Sequence, residues 1–417
     1  MYITVILASI SLVDCVPVYG GLGDFGYYFA DVLIGTPQQR MSAIIDTGSE
    51  GLFVTCASCD SCGQVHMDPF YNPDISSSFK VPDQCPVAAS HLRNPTCIFE
   101  KRFLEGSILR GHLVSDQVAI GTANSRRELG FGCIETESKL FLNQKANGIM
   151  GLAPAFGRNN NIHAITLCLS KMGGEFDLVE SSIEEPEKST LLEYRDNHYV
   201  VSPSAVSIVS ADGSSVHWSV SEPTEVQEQL GQKVLIDSGS TITYLNDALF
   251  VRVISLIRKA IRDGLKEDFS GPAICWRHES DFEIELPIIR LSFSRRNSGD
   301  NFHIDFSNYV TIEPQKTCLT IASNHKLVRT DLGASWLVDK EVMLSASAGW
   351  AKIEEKRCPE HPFSSRKLVE ALPGQVLSRS VSTIRWTFLA VMLSFVFFLV
   401  IIVRKIFPLS HHPTPSE

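Results

Sequence analysis

The chain has 417 residues, of which 44% are hydrophobic and 20% are charged, a composition typical of a globular protein with room for two or three domains. Its formal net charge is −10, and the sequence contains no basic stripe. Binding to nucleic-acid phosphates depends on clustered Lys and Arg, so we expect no nucleic-acid partner.

The first 20 residues (1–20) are predicted to form a signal peptide. Residues 3–13 are an apolar block that is typical of a signal-peptide core and too short for a membrane span. No Lys or Arg precedes the block, and the predicted cleavage site falls near residues 15–20. The protein is therefore expected to enter the secretory pathway, where its cysteines meet an oxidising environment.

Two copies of one motif dominate the sequence. An apolar run leads to Asp46, and a second apolar run leads to Asp237 about 190 residues later; a small hydroxyl residue, Gly and Ser follow each aspartate. Two copies predict two similar lobes, residues 21–180 and 181–358, that each bring one carboxylate to a shared cleft. Two carboxylates that meet share a proton, so one acts as a base on water while the other polarises a carbonyl. The motifs therefore predict peptide hydrolysis.

The residues beside each aspartate suit this chemistry. Glycine lets the backbone turn and brings N–H groups close to the carboxylate, while the hydroxyls can hold its outer oxygens or bond across to the other lobe. The predicted supporting residues are Thr47, Gly48, Ser49, Ser238, Gly239 and Ser240. A single copy of the motif also occurs as an ordinary turn around aspartate, and the second copy is what favours catalysis.

Ten cysteines remain once Cys15 is removed with the signal peptide, and an even number in an oxidising compartment predicts up to five disulfides. The disulfide candidates are Cys56, Cys59, Cys62, Cys85, Cys97, Cys133, Cys168, Cys275, Cys318 and Cys358. Their pairing cannot be read from the sequence. The first three, with His66, also have the spacing of a zinc site, but thiols in an oxidising compartment more often pair, so we expect no metal.

Local patterns predict two further elements of the folded body. Residues 98–120 are expected to form a hairpin with Gly106 near its tip. Apolar residues at helical spacing predict a helix that Asn246 caps and that continues to about Asp263.

The carboxy-terminal part is predicted to anchor the protein in a membrane. Residues 359–385 are rich in Pro, Ser and charge and indicate a stalk. Residues 386–403 are eighteen uncharged residues, enough for a transmembrane helix. Arg404 and Lys405 follow and favour a cytoplasmic tail, residues 404–417, so we expect a single-pass type I protein with a lumenal body.

Three segments together resemble the pepsin-like aspartic proteases, over roughly residues 25–358. They are Tyr28-Phe29-Ala30-Asp31-Val32-Leu33-Ile34-Gly35-Thr36-Pro37, Asp46-Thr47-Gly48-Ser49 and Asp237-Ser238-Gly239-Ser240-Thr241. The resemblance implies an all-β, bilobal pepsin-like aspartic protease fold with a flap hairpin over the cleft, here with a carboxy-terminal transmembrane helix. It also implies polypeptide substrates, no metal or organic cofactor, and a monomer.

Further segments resemble one branch of that family, whose members sit in the endoplasmic-reticulum membrane and trim exported proteins after an Arg-X-Leu motif. The segments are Cys56-Ala57-Ser58-Cys59-Asp60-Ser61-Cys62-Gly63, Glu105-Gly106-Ser107-Ile108 and Leu140-Phe141-Leu142-Asn143-Gln144. This resemblance implies an endoplasmic-reticulum location, with another secretory or endosomal membrane as the alternative. It also implies that Glu105 holds the substrate arginine and that Gln144 is a second contact, whereas the simpler interpretation of Glu105 is a solvated hairpin residue.

The flap departs from the family at two positions. Aligning Gly106 on the flap places Phe103 where the family usually has tyrosine, and Phe53 stands where it usually has tryptophan. Those two side chains normally share a hydrogen bond, and replacing both polar partners at once leaves neither unpaired. We therefore expect a repacked flap on an active enzyme.

The sequence is thus interpreted as an aspartic endopeptidase of the secretory pathway. One alternative is a broad-specificity pepsin-like protease of an acidic compartment. The other is a catalytically silent binding protein on the same fold, which the intact motifs at both aspartates disfavour.

Overall fold

The structure is a computed structural model that describes residues 15–82, 97–120, 126–260, 266–268, 273–277, 285–307, 309–313, 316–325 and 327–366. These residues belong to one compact unit. The predicted transmembrane span 386–403 and tail 404–417 lie outside the described residues. Among the helices that the structure describes, none is long and apolar enough to cross a membrane.

Most of the regular secondary structure in the described chain is β-strand, so the predicted all-β class is confirmed. The strands are β1 (Val16–Gly21), β2 (Tyr27–Ile34), β3 (Gln39–Asp46), β4 (Glu50–Thr55), β5 (Ile98–Arg102), β6 (Ile108–Ile120), β7 (Arg127–Glu137), β8 (Gly148–Leu152), β9 (Ala164–Ser170), β10 (Gly173–Val179), β11 (Ser189–Arg195), β12 (His198–Val201), β13 (Ala205–Val209), β14 (Val216–Val220), β15 (Val234–Ile236), β16 (Thr243–Leu245), β17 (Lys266–Asp268), β18 (Cys275–Arg277), β19 (Ile288–Ser294), β20 (Asn301–Phe306), β21 (Val310–Glu313), β22 (Lys316–Leu319), β23 (Ile321–Ser323), β24 (Thr330–Leu332), β25 (Lys340–Ser345) and β26 (Trp350–Glu355). The helices are α1 (Pro154–Asn159), α2 (Pro223–Leu230), α3 (Asp247–Ala260) and α4 (Ala334–Leu337).

Hydrogen bonds join eighteen of the described strands into one network. Within it β11, β26, β25, β9, β10 and β1 are successive neighbours, so strands from both halves of the chain share a single layer. Two separate four-stranded sheets, β14-β13-β19-β20 and β17-β18-β22-β21, belong to the second half. The shared layer fixes the halves against each other and thereby sets the distance across the cleft between them.

The same strand-crossing motif occurs once in each half. In the first half β8 lies between β3 and β4, parallel to β3 and antiparallel to β4. In the second half β24 lies between β15 and β16, parallel to β15 and antiparallel to β16. A glycine is needed at each crossing, since a Cβ on Gly151 would lie 2.6 Å from the backbone of Ser49, and Gly333 is equally crowded by Ile242.

Disulfide bonds pair most of the predicted cysteines. The bonds are Cys56–Cys133, Cys59–Cys62, Cys168–Cys358 and Cys275–Cys318. Cys97 is also disulfide-bonded, and Cys85 lies outside the described residues. The prediction of disulfides is confirmed for the bonded residues. A zinc site would need Cys56, Cys59 and Cys62 as free thiolates, and the sulfurs of all three are covalently paired.

Two segments near the ends of the described residues pack onto the rest of the protein. Residues 16–20, assigned above to the signal peptide, belong to β1, which pairs with both β2 and β10. Residues 359–366, assigned above to the stalk, return to the first half of the chain. There the guanidinium of Arg366 donates to Asp31 over 2.6 and 2.8 Å and to Asp68 over 2.7 Å, which ties this segment to the body.

Candidate active site

The two motif aspartates face each other across the cleft. Asp46 is the last residue of β3, and Asp237 follows β15, whose ladder continues through a 3.0 Å hydrogen bond from the Asp237 N–H to the Leu332 carbonyl. A Cβ on Gly48 would lie 2.5 Å from the Asp237 carboxylate, and a Cβ on Gly239 would collide with Asp46. Each glycine therefore makes room for the carboxylate of the opposite half.

Each carboxylate is held by its own turn in the same way. The Gly48 N–H donates to Asp46 Oδ1 over 2.8 Å, and the Gly239 N–H donates to Asp237 Oδ1 over 3.0 Å. The second oxygen of each carboxylate accepts from the serine three residues later; the pairs are Ser49–Asp46 and Ser240–Asp237, the latter at 2.8 Å. These contacts fix the orientation of each carboxylate.

The hydroxyl residues after the aspartates tie the halves together. Thr47 Oγ1 donates to the Ile236 carbonyl and Ser238 Oγ donates to the Ile45 carbonyl, both over 2.9 Å. Each hydroxyl also accepts the backbone N–H of the other residue, at 2.9 and 3.1 Å. All four partners are buried, so these bonds are shielded from water and hold the two turns in register.

The electrostatics of the pair favour one shared proton. Burial raises the pKa of the Asp46 carboxyl well above its usual range, and the charge and hydrogen bond of Asp237 raise it further. The hydrogen bonds from Ser49 and Gly48 act in the opposite direction but do not cancel these effects. The geometry therefore suits a dyad with one protonated and one ionised carboxyl.

The flap is the hairpin of β5 and β6, with its tip at residues 103–107. Phe103 closes the tip through two backbone bonds, accepting the Gly106 N–H over 2.9 Å and donating to the Ser107 carbonyl over 3.0 Å. Its ring packs against Phe141 with the centroids 5.0 Å apart. Gly106 has φ +92°, a conformation that glycine adopts without strain.

The two predicted specificity residues lie on either side of this aromatic contact. Glu105 is exposed at the flap tip. The pKa of the Tyr244 hydroxyl is raised mainly by burial, and the charge of Glu105 makes a smaller contribution in the same direction. Gln144 follows the turn that carries Phe141, and its Oε1 is buried without a hydrogen-bond partner among the described residues. Glu105 is thus exposed within electrostatic range of Tyr244, and Gln144 has an unpaired acceptor.

The cysteine-rich insert supports the flap through Glu137. The Glu137 carboxylate accepts from the Gly63 N–H over 2.9 Å and bonds His66 Nε2 over 3.0 Å. The next residue, Ser138, accepts the Ile108 N–H of the flap over 2.8 Å. A continuous set of contacts therefore links the insert to the root of the flap.

Sequence reasoning missed three residues of the cleft: Arg329, Asp331 and Tyr244. Asp331 is a buried carboxylate on β24, paired in register with Leu235 of β15 and with Tyr244 of β16. The sequence held one signal for Asp331. It stands two residues before Gly333, whereas the residue two positions before Gly151 in the first half is the apolar Ile149.

Two protein-family models match the chain. One, described as Xylanase inhibitor N-terminal, matches residues 28–158, and the other, described as Xylanase inhibitor C-terminal, matches residues 199–343. The first match contains Asp46 and the flap, and the second contains Asp237. Both halves of the candidate site therefore lie within matched regions.

The chain is similar to plasmepsin V of Plasmodium falciparum, with 32% identity over 178 residues, 38% of this chain and 30% of that protein. It is similar to aspartic protease 5 of Toxoplasma gondii, with 33% identity over 193 residues, 37% of this chain and 20% of that protein. Aspartic proteinase nepenthesin-2 of Nepenthes gracilis is 26% identical over 331 residues, 75% of this chain and 72% of that protein. The chain spans less than a third of the length of the first two relatives.

Proposed function

Because the chain belongs to the pepsin-like aspartic protease family, we propose that it is an aspartic endopeptidase whose catalytic dyad is Asp46 and Asp237. The observation that carries the proposal is the matched pair of carboxylates, each fixed by its own Gly and Ser and each facing the glycine of the other half. No other described pair of carboxylates is held by two copies of one motif.

The dyad supplies both acid and base. The ionised carboxylate takes a proton from water as the water oxygen attacks the peptide carbonyl carbon, and the protonated carboxyl donates to the carbonyl oxygen. The tetrahedral intermediate then breaks down as a proton passes to the amide nitrogen. Thr47 and Ser238 contribute by holding the two turns together, so that both carboxyls reach one carbonyl without reorganising.

The dyad is tested by replacing each aspartate separately with asparagine. Asp46→Asn and Asp237→Asn keep the shape of the side chain but remove one proton site, so kcat/KM for a peptide substrate should fall by at least about 100-fold. Asp300→Asn, on an exposed loop, is the matched control and should retain activity. Near-wild-type turnover in either dyad variant would rule out the assignment.

A non-hydrolytic binding protein is the second candidate, since both matching family models are named for xylanase inhibitors. The two functions separate in one experiment on the purified body of the protein. A folded wild-type protein that cleaves no member of a peptide library from acid to neutral pH would favour binding alone. Cleavage that the dyad substitutions abolish would favour the protease.

The proposal extends to where the protease acts. The predicted signal peptide and the predicted span 386–403 support a type I protein of the endoplasmic-reticulum membrane with a lumenal catalytic body. Similarity to plasmepsin V and to aspartic protease 5 supports the same branch of the family. On this basis the substrates are secreted or exported polypeptides, cut after the leucine of an Arg-X-Leu motif.

Glu105 is proposed to select the arginine of that motif. It is exposed on the flap tip, close enough for its charge to raise the pKa of Tyr244, and a carboxylate can accept two N–H groups of one guanidinium. Gln144, with its unpaired acceptor, is proposed as the second contact. Phenylalanine in place of the family's usual tyrosine at position 103 is compatible with this role, because the Phe103 ring packs on Phe141.

The selection is tested with two peptides that differ only in Arg or Ala at the proposed position. Losing one partner of such a charge pair costs about 2–5 kcal/mol, so Glu105→Ala should lower kcat/KM sharply for the Arg peptide and little for the Ala peptide. Glu100→Ala is the matched control, since Glu100 pairs with Arg102 and Arg110 on the outer part of the same hairpin. Equal losses for both peptides would remove Glu105 from the specificity site.

A further inference from the structure

A third carboxylate, Asp331, lies on the cleft face beside the dyad. In a parallel pair of strands, residues in register point to the same face, and so does the residue two positions further along. Asp331 is in register with Leu235, and Asp237 follows Leu235 by two positions. Asp331 and Asp237 are thus diagonal neighbours on one face, with Cα atoms about 8 Å apart.

The first half of the chain has no charge at the corresponding place. There Ile149 of β8 is in register with Ile44, and Asp46 follows Ile44 by two positions. Ile149 is therefore the counterpart of Asp331, and both are buried. The strand-crossing motif accommodates an apolar side chain here, so the carboxylate of Asp331 is not required by the fold.

Arg329 holds the Asp331 carboxylate. Its Nε lies 2.7 Å from Asp331 Oδ1, and its Nη2 donates to Oδ2 over 3.1 Å; Asn324 Nδ2 donates to the same Oδ2 over 3.3 Å. The side chains of Arg329 and Asp331 are only 18% and 8% exposed, so solvent screens the pair weakly. The result is a largely buried charge pair on the strand face that also carries Asp237.

Other charged or titratable groups interact with this position from the neighbouring strands. They are Asp237 after β15, Tyr244 on β16 and His198 on β12; Asp46 in turn interacts with Asp237, and Glu105 with Tyr244. Burial raises the pKa of the Asp331 carboxyl, Arg329 lowers it, and the charge of Asp237 raises it again.

We propose that Asp331, together with Arg329, is a positioning pair that acts through Asp237 and sets the pH range in which the dyad works. The inference rests on the proposed protease function and adds residues to it. A negative charge beside the dyad makes it harder for the dyad to lose its proton, and a positive charge makes it easier. The two members of the pair therefore act in opposite directions.

The test compares Asp331→Asn, Arg329→Gln and the double variant. Asp331→Asn leaves the positive Arg329, so both limbs of the pH profile of kcat/KM should move to lower pH. Arg329→Gln leaves an uncompensated Asp331, so both limbs should move to higher pH. If the Cα separation of about 8 Å is taken as the distance between the charges, each shift in a partly screened site should be about 0.5–1.5 pH units, with the double variant between the two.

Opposite shifts distinguish an electrostatic role from a purely structural one, because loss of packing would lower activity without moving the limbs in two directions. Ile149→Asn, at the counterpart position beside Asp46, is the matched control for a polar group without a change of charge, and should move neither limb. Unmoved limbs in both Asp331→Asn and Arg329→Gln would overturn the inference while leaving the protease function intact.

A second readout does not depend on turnover. Binding of a peptide mimic with a central hydroxyl follows the protonation of the dyad, and calorimetry over a range of pH should show the same opposite shifts in the two variants. Binding without hydrolysis, but with shifted pH dependence, would support the role of Asp331 and remove the protease function. No binding by the wild-type protein at any pH would overturn both.

Discussion

The buried carboxyl of Asp46 links the catalytic chemistry to folding stability. Because its pKa is raised in the folded protein, the folded state keeps a proton that the unfolded chain releases once pH exceeds about 4. The free energy of unfolding should therefore fall as pH rises from there toward the raised pKa. This loss is the cost of burying the Asp46 carboxyl and of placing it beside Asp237.

Asp46→Asn removes that cost, and urea unfolding of both proteins over a range of pH measures it. The asparagine variant should be more stable than the wild type at neutral pH, and the difference should disappear in acid, where Asp46 is protonated in both states. A difference that stays constant with pH would contradict the raised pKa, since replacement of packing alone does not titrate.

The aspartates could be found from the sequence, whereas Asp331 could not. The motif around Asp46 and Asp237 is local, because each carboxylate is bound by the Gly and Ser that directly follow it. Asp331 becomes a neighbour of Asp237 only through the pairing of β24 with β15, nearly one hundred residues apart. A contact made by strand register leaves no local pattern to read.

The flap and the cysteine-rich insert behave as one supported unit. The Glu137 side chain is 1% exposed and bonds both Gly63 and His66 of the insert, while the following residues hold Phe103 and Ile108 of the flap. Removing the carboxylate leaves its buried hydrogen-bond partners unsatisfied, at a cost of about 1–3 kcal/mol for each group. Removing the Glu137 contacts should also loosen the residues that hold the flap, so that the flap is less firmly positioned over a bound peptide.

Glu137→Ala is therefore expected to lower the free energy of unfolding by about 3 kcal/mol, because two buried partners lose their hydrogen bonds, and to raise KM for peptide substrates. Glu128→Ala is the matched control on the same strand, because Glu128 is 48% exposed in its pair with Lys80 and should contribute less than about 1 kcal/mol. Similar losses in the two variants, or an unchanged KM in Glu137→Ala, would show that the insert does not support the flap.

Periodic elements were predicted better than paired ones. The helix expected after Asn246 is confirmed as α3, because apolar residues at helical spacing identify its buried face. The hairpin over residues 98–120 is confirmed as β5 and β6, but its docking on Phe141 was not foreseen. β1, at residues 16–21, has an apolar sequence that also suits a signal peptide, and only its pairing with β2 and β10 reveals the strand.

The two halves of the protein are joined by a shared sheet and by covalent and ionic ties near the end of the described chain. Cys168 on β9 is bonded to Cys358, which follows β26, across a sequence separation of 190 residues. Arg366 then bonds Asp31 and Asp68 of the first half. Because the proposed dyad takes one aspartate from each half, these ties preserve the spacing that its proposed chemistry requires.

The contribution of the long-range disulfide can be measured against a local one. Closing a loop of about 190 residues restricts the unfolded chain by about 5 kcal/mol, whereas the Cys59–Cys62 bond closes a loop of only three residues and should contribute about 2 kcal/mol. Cys168→Ser with Cys358→Ser should therefore lower the free energy of unfolding in urea by more than Cys59→Ser with Cys62→Ser. Both pairs replace two sulfurs with two hydroxyls, so the chemical change is matched. Equal losses would mean that the shared sheet and the Arg366 contacts already hold the halves together, and that the disulfide adds only local stability.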